Sequence, residues 1–77
     1  MDMTFGERLR CLREERDPCL TQTQLALETG ISQRKISYLE RGELEPSLDE
    51  LRRLCRYYQV SADYLLDLPA GLSRPRR

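Results

Sequence analysis

The stretch GISQRKISYLERG runs from Gly30 to Gly42. Its apolar residues are Ile31, Ile36, Leu39 and Tyr38, and between them stand Gln33, Arg34, Lys35, Ser37 and Arg41. On a helix turning about 100° per residue, with Gln33 at the origin, Ser37 falls at about 40°, Arg41 at about 80°, Arg34 at about 100° and Tyr38 at about 140°. Lys35 lies at about 200°, Leu39 at about 240° and Ile36 at about 300° on the same wheel. One arc therefore presents Gln33, Ser37, Arg41, Arg34 and Tyr38, while Ile36 and Leu39 face away from it. A Gln amide pairs with the donor and acceptor of an adenine edge, an Arg fork with the two acceptors of guanine, and a Ser hydroxyl with either. The chemistry open to this arc is hydrogen-bonded recognition. Ser32 stands at the start of the helix, where free N–H groups favour a phosphate.

Bond-making chemistry has little to work with. The chain has no histidine, which removes the commonest general base. It holds no Gly-rich phosphate loop, nucleophile elbow or metal-ligand cluster, so neither an enzyme nor a metal or cofactor site is expected. Cys11, Cys19 and Cys55 are odd in number and widely spaced, as fits reduced thiols with no zinc site. The 77 residues suit one domain with a small core. No apolar run approaches the roughly 18 residues of a membrane span, and MDMTFGERLR lacks the apolar segment of a secretory signal. A cytoplasmic location and no membrane partner are the expectation.

Thirteen basic and thirteen acidic residues cancel. That balance argues mildly against nucleic acid as a partner, but its distribution does not. Residues 32–41 carry Arg34, Lys35 and Arg41 against Glu40 alone, and the end of the chain carries Arg74, Arg76 and Arg77. The segments between are acidic. Twelve of the thirteen basic residues are Arg, the better residue for planar, bidentate recognition.

The elements that must hold the arc are all helices. Thr4 with Glu7, Thr21 with Gln24 and Ser47 with Glu50 are capping boxes, and Ser32 and Ser61 are further N-caps. Helices are expected over about 5–16, 22–28, 33–41, 48–58 and 62–67. Phe5, Leu9 and Leu12 form the stripe of the first. Leu25 and Ala26 face inward from the second, and Leu48, Leu51, Leu54, Cys55 and Tyr58 from the fourth. Leu65 and Leu66 do so from the fifth. Cys11 falls off the first stripe, on the exposed side. Asp17 before Pro18 ends the first helix. The joint ETGIS is short enough to set the second and third helices as a helix-turn-helix, with Gly30 taking the left-handed turn and Ala26 small enough to pass under the third helix.

The run TQTQLALETGISQRKISYLERGELEPSLDELRRLCRYYQVSADYLL, preceded by FGERLRCLREER, resembles the lambda-repressor/Cro-like (Xre-type) helix-turn-helix family. The resemblance covers about residues 5–66, with Gln22, Ala26, Gly30, Ile31, Ile36 and Leu39 in the family's register, followed by LERG and PSLDEL. It implies an all-α, compact five-helix lambda-repressor-like DNA-binding domain over 1–68, with a flexible basic tail over 69–77. It further implies a regulator, a repressor in the first instance, that inserts its third helix into the major groove of double-stranded DNA as a homodimer on a palindromic operator. By position, Gln33, Arg34, Ser37 and Tyr38 would meet base edges. Gln22, Ser32, Lys35 and Arg41 would meet phosphates. Glu40 would pair inside the protein with Arg13, which takes the one acid of the third helix away from DNA. Tyr38 stands where the family more often has a polar or basic reader. Gln59 stands where it often ends a helix with Gly, so Gln59 must accept a strained turn or continue the helix.

Tyr57, Tyr64, Leu68 and Leu72, on the outer side of the last two helices, are candidates for a dimer surface. The runner-up function is a protein-interaction module, an antitoxin or adaptor with a protein partner, which the overall negative charge of the body would suit. The two differ at the arc. Coverage by Glu43, Glu45 or Asp17 would favour the interaction module, and a continuous positive face with Gln22 would favour DNA.

Overall fold

The computed structural model describes residues 3–68, and each of its helices is started by a hydroxyl. The helices are α1 (Phe5–Glu14), α2 (Gln22–Thr29), α3 (Gln33–Arg41), α4 (Leu48–Tyr58) and α5 (Ala62–Leu66). Thr4, Thr21, Ser32, Ser47 and Ser61 are the N-caps, each extended in backbone and each accepting a backbone N–H three residues on. In α1, α2 and α4 the reciprocal bond from Glu7, Gln24 or Glu50 completes the box. Each cap satisfies donors that the first turn leaves without partners. The bond from the Thr4 backbone holds the Glu7 carboxyl below its usual range, and that from Ser47 does the same for Glu50.

The far ends depart from expectation in an instructive way. α1 stops at Glu14, two residues early. A helix continuing through Arg16 would need the backbone N–H of residue 18 for the Glu14 carbonyl, and Pro18 has none. That carbonyl instead accepts the Cys19 thiol at 3.0 Å, and the Arg13 carbonyl takes the Leu20 N–H. α2 runs one residue further than expected, because Thr29 Oγ1 donates to the Leu25 carbonyl at 2.7 Å and accepts the Ile31 N–H, closing the turn with a buried side chain. α4 ends on Gln59 at φ 56°, and α5 ends one residue early on Asp67 at φ 57°. Both side-chain-bearing residues accept the left-handed turn that glycine usually supplies.

The core is Leu9, Leu25, Ile31, Ile36, Leu39, Leu54 and Leu65, all 3% exposed or less. Phe5, Leu12, Leu20, Ala26, Leu51, Cys55, Tyr57, Tyr58 and Val60 pack around it. Burying one such Leu or Ile contributes about 1.5–3 kcal/mol, so seven of them form a small but sufficient anchor for helices this short. Three expectations fail here. Leu48 is 79% exposed, since at the first position of α4 it stands about 120° round the helix from Leu54. Leu66 is exposed beside the buried Leu65, because neighbours about 100° apart cannot both face one core. Cys11 is half-buried, and so is Cys55, whose thiol burial pushes up; all three cysteines are free.

α1 lies close against the end of α3. A Cβ added to Gly6 would stand 2.5 Å from the backbone carbonyl oxygens of both Leu39 and Glu40. Neither oxygen can yield without moving α3. Gly6→Ala is therefore expected to destabilise the domain by about 1–3 kcal/mol through overpacking, read as a lowered denaturant midpoint. Unchanged stability would show that α1 and α3 can separate freely.

Candidate nucleic-acid interface

The arc on α3 is mounted from three sides. Ile36 and Leu39 hold it to the core, Gly30 at φ 75° turns the chain into it, and Ile31 anchors the turn. A further mount was not foreseen from sequence. Arg53 of α4 donates from Nη1 to the Thr29 carbonyl at 3.2 Å while its Nε pairs with Asp49. An Arg on an exposed helix face carries no local pattern that would mark it as a clamp on a distant turn.

Behind the arc lies a polar network. Arg13 Nε donates to Glu40 Oε2 at 2.8 Å and Arg13 Nη2 to Glu40 Oε1 at 3.0 Å, a bidentate pair, while Nη1 donates to the Leu20 carbonyl at 2.9 Å. The side chains are 14% and 4% exposed, so the pair is largely shielded from solvent. The hydrogen bond to Glu40 holds the Arg13 guanidinium even more firmly protonated than usual. Gln22, the first residue of α2, donates from Nε2 to Glu40 Oε1 at 3.0 Å, and Gln33, the first of α3, donates from Nε2 to Gln22 Oε1 at 2.8 Å. The network thus runs from the interior to the outer surface.

Ser32, Gln33, Arg34 and Arg41 are exposed, and Ser37 and Tyr38 are half-buried. The guanidinium carbons of Arg34 and Arg41 lie 5.8 and 5.1 Å from the Tyr38 ring centre, and Arg34 Nε donates to the Tyr38 hydroxyl at 3.3 Å. Tyr38 is a spacer between two cations, an arrangement worth about 0.5–1 kcal/mol for each exposed contact. Two of the basic groups already have acidic partners. Lys35 Nζ is 3.2 Å from Glu50 Oε1, and Arg41 Nε is 2.6 Å from Glu43 Oε2. Glu43 therefore reaches the border of the arc at Arg41. Among the described residues, neither Glu45 nor Asp17 makes an ion pair with it. Gln33 and Arg34 are left exposed, with the half-buried Gln22 hydrogen-bonded to Gln33. Such a surface can hydrogen-bond and attract anions.

Two capped helices joined by a left-handed glycine, with apolar anchors behind the second and a polar arc in front, define a helix-turn-helix module. The family model described as a helix-turn-helix domain matches residues 4–68, and the chain belongs to that family, in its lambda-repressor-like (Xre-like) part. Over 64 residues it is 42% identical to the uncharacterized HTH-type transcriptional regulator YobD of Bacillus subtilis (strain 168), covering 83% of this chain and 55% of YobD. It is 36% identical over 64 residues to the HTH-type transcriptional activator BcrR of Enterococcus faecalis, covering 83% of this chain and 30% of BcrR. The chain thus spans about half or less of the length of these regulators. Among solved structures, the P22 c2 repressor in complex with synthetic operator 9T matches with a TM-score of 0.77 and 37% identity, over 84% of this chain and 96% of that one. No helix among the described residues is long and apolar enough to cross a membrane.

Proposed function

We propose that the domain is a sequence-specific transcriptional regulator, a repressor, that lays α3 in the major groove of double-stranded DNA. The observation that carries this reading is the outward arc of Gln33, Arg34, Ser37 and Tyr38 on a helix whose acid, Glu40, is turned inward to Arg13. In this reading those four side chains address base edges. Gln22 and Ser32, at the starts of α2 and α3, address phosphates, as do Lys35 and Arg41 at the border. Lys35 and Arg41 would exchange Glu50 and Glu43 for phosphate oxygens. The exchange is inexpensive at Arg41, where both partners are more than half exposed and such pairs are worth about 0–1 kcal/mol. A site of action in the cytoplasm is part of the same proposal. The similarity to a repressor seen with its operator supports the same reading.

Arg34→Ala is expected to weaken binding to the preferred site by about 1–3 kcal/mol and to relax the preference at one position. Lys35→Ala should instead weaken all sequences alike and flatten the salt dependence by about one unit of slope. Titration of labelled duplexes at two salt concentrations reads both. Equal losses on every sequence for Arg34→Ala would remove Arg34 from the base-reading set.

One domain reads only a few base pairs, so the working unit is a homodimer on a two-fold operator. For its interface the most suitable surface is the groove lined by Leu48, Leu51, Arg52, Cys55 and Ala62, between α4 and α5. Leu48 is 79% exposed at its rim, and Leu44, in the preceding loop, is 47% exposed. Arg52 and Asp49 stand 3.8 Å apart beside it, so the rim carries both signs of charge. Tyr57 suits a partner less well, because its ring meets Tyr58 edge to face and carries the Arg16 guanidinium at 5.0 Å. Tyr64 and Leu68 are exposed, but around a depression lined by Arg8, Ser61, Asp63 and Asp67. Leu72 and the basic residues Arg74, Arg76 and Arg77 lie outside the described residues.

A further inference from the structure

An exposed Arg is a poor reader until something fixes it. Its long side chain loses rotamer freedom on binding, and its guanidinium can offer a pair of N–H groups in two ways. The side edge carries Nε with one Nη, and the end edge carries Nη1 with Nη2. Which edge Arg34 offers depends on what holds its Nε. Helical side chains lean toward the N-terminus of their helix, over the residues three and four positions before. Tyr38 therefore leans over Arg34, and Arg41 over Tyr38. The three stack in that order along α3, with the guanidinium carbons of Arg34 and Arg41 5.8 and 5.1 Å from the centre of the ring between them. Arg34 Nε donates to the Tyr38 hydroxyl at 3.3 Å. Arg41 is held from its other side by Glu43, with Nε 2.6 Å from Oε2. Among the described residues Arg34 makes no ion pair, so its charge and its Nη groups are open to a ligand.

We infer that Tyr38 is a positioning residue for Arg34: its hydroxyl occupies Nε, its ring supports the guanidinium, and the end edge is left as a fork that reads guanine. Guanine presents N7 and O6, two acceptors side by side, which two parallel N–H groups complement; adenine presents N7 beside the N6 amino donor, which one of the two would oppose. With Nε already bonded, the side edge no longer competes, and the fork arrives in one orientation. Part of the ordering that recognition requires is then complete before DNA is met. The role accounts for an aromatic hydroxyl in the arc. A Leu at this position could cover the Arg34 stem but could not accept an N–H, and a basic residue would repel Arg34 four positions away. Tyr38 thus takes part in base reading through Arg34, and its hydroxyl keeps a hydrogen of its own to donate beside the base edge. This inference rests on the DNA-binding reading.

The test selects binding sites from random duplexes with the full chain as wild type, Tyr38→Phe, Arg34→Ala and the double variant. Arg34→Ala marks the base that Arg34 reads, and affinities are then measured for guanine and adenine at that base. Tyr38→Phe keeps the ring and removes only the hydroxyl, so the fold should hold, which thermal unfolding checks. The wild type is expected to prefer guanine at the marked base. Tyr38→Phe should lower the guanine-to-adenine ratio about fivefold, the lower end of what a bidentate pair supplies, with the other positions unchanged. In the Arg34→Ala background, Tyr38→Phe should change no preference. A hydroxyl that met only a phosphate, or that served only stability, would scale both affinities equally and leave the ratio alone. An unchanged ratio in Tyr38→Phe would therefore overturn the inference. So would a preference at another base that Tyr38→Phe removes even without Arg34, because Tyr38 would then read that base itself. A wild type that prefers a base other than guanine opposite Arg34 overturns the fork while leaving DNA binding intact. A wild type with no preferred sequence overturns both.

Discussion

Glu40→Ala is expected to destabilise the domain by about 3–5 kcal/mol, the cost of leaving one member of a buried ion pair without the other. Arg13 would retain only the Leu20 carbonyl for five N–H donors, with its side chain 14% exposed. Gln22 would lose its acceptor as well. A domain of 77 residues has about 4–12 kcal/mol of stability at roughly 0.05–0.15 kcal/mol per residue, so the variant should lose a large part of it. Urea titration followed by circular dichroism measures this. Replacing Arg13 by Met and Glu40 by Leu together should recover much of the loss, because the main cost lies in the orphaned charge and not in the missing attraction. A Glu40→Ala protein as stable as the wild type would show that water reaches Arg13 freely.

The second large effect concerns assembly. Leu48→Glu should leave the fold intact, since the side chain is 79% exposed and an acid in the first turn of α4 suits the helix dipole. Across the proposed two-fold interface it would place two like charges in an apolar groove. Sedimentation should then report a monomer at concentrations where the wild type is a dimer. Binding to a two-half-site operator should weaken by about 10²–10⁴-fold as the avidity of paired domains is lost, while binding to an isolated half-site stays the same. A dimeric Leu48→Glu protein would move the interface elsewhere, and Leu68→Glu would be the next variant to examine.

The helix starts were legible because they depend on neighbours three residues apart. Every hydroxyl read as an N-cap occupies that position, and α3 and α4 begin and end where the periodicity puts them. The ends that moved depend on bonds that no local pattern displays. At the end of α1 the donor withheld by Pro18 is legible in the sequence, whereas the Cys19 thiol that replaces it is not. Leu48 looked like core because the stripe reading counts apolar residues without asking whether another element reaches that end of the helix. The arc of α3 was legible because it follows from the helix period alone. Its electrostatics were less so. The partners of Lys35 and Arg41 come from α4 and from the loop after α3, and the clamp of Arg53 on the turn joins residues 24 apart in sequence. The register shared with the family pointed to Arg13 and Glu40 as a pair. That the pair continues through Gln22 to Gln33 required coordinates, because it depends on the amide groups at the starts of two different helices meeting.

Base reading by α3 is decided by selecting bound duplexes from a random pool with the wild-type protein and again with Arg34→Ala. The expected result is enrichment of a two-fold symmetric site with adenine, the base a Gln amide complements, opposite Gln33, and loss of preference at a neighbouring position in the variant. No enrichment over the starting pool, or the same enriched site in both proteins, would contradict it.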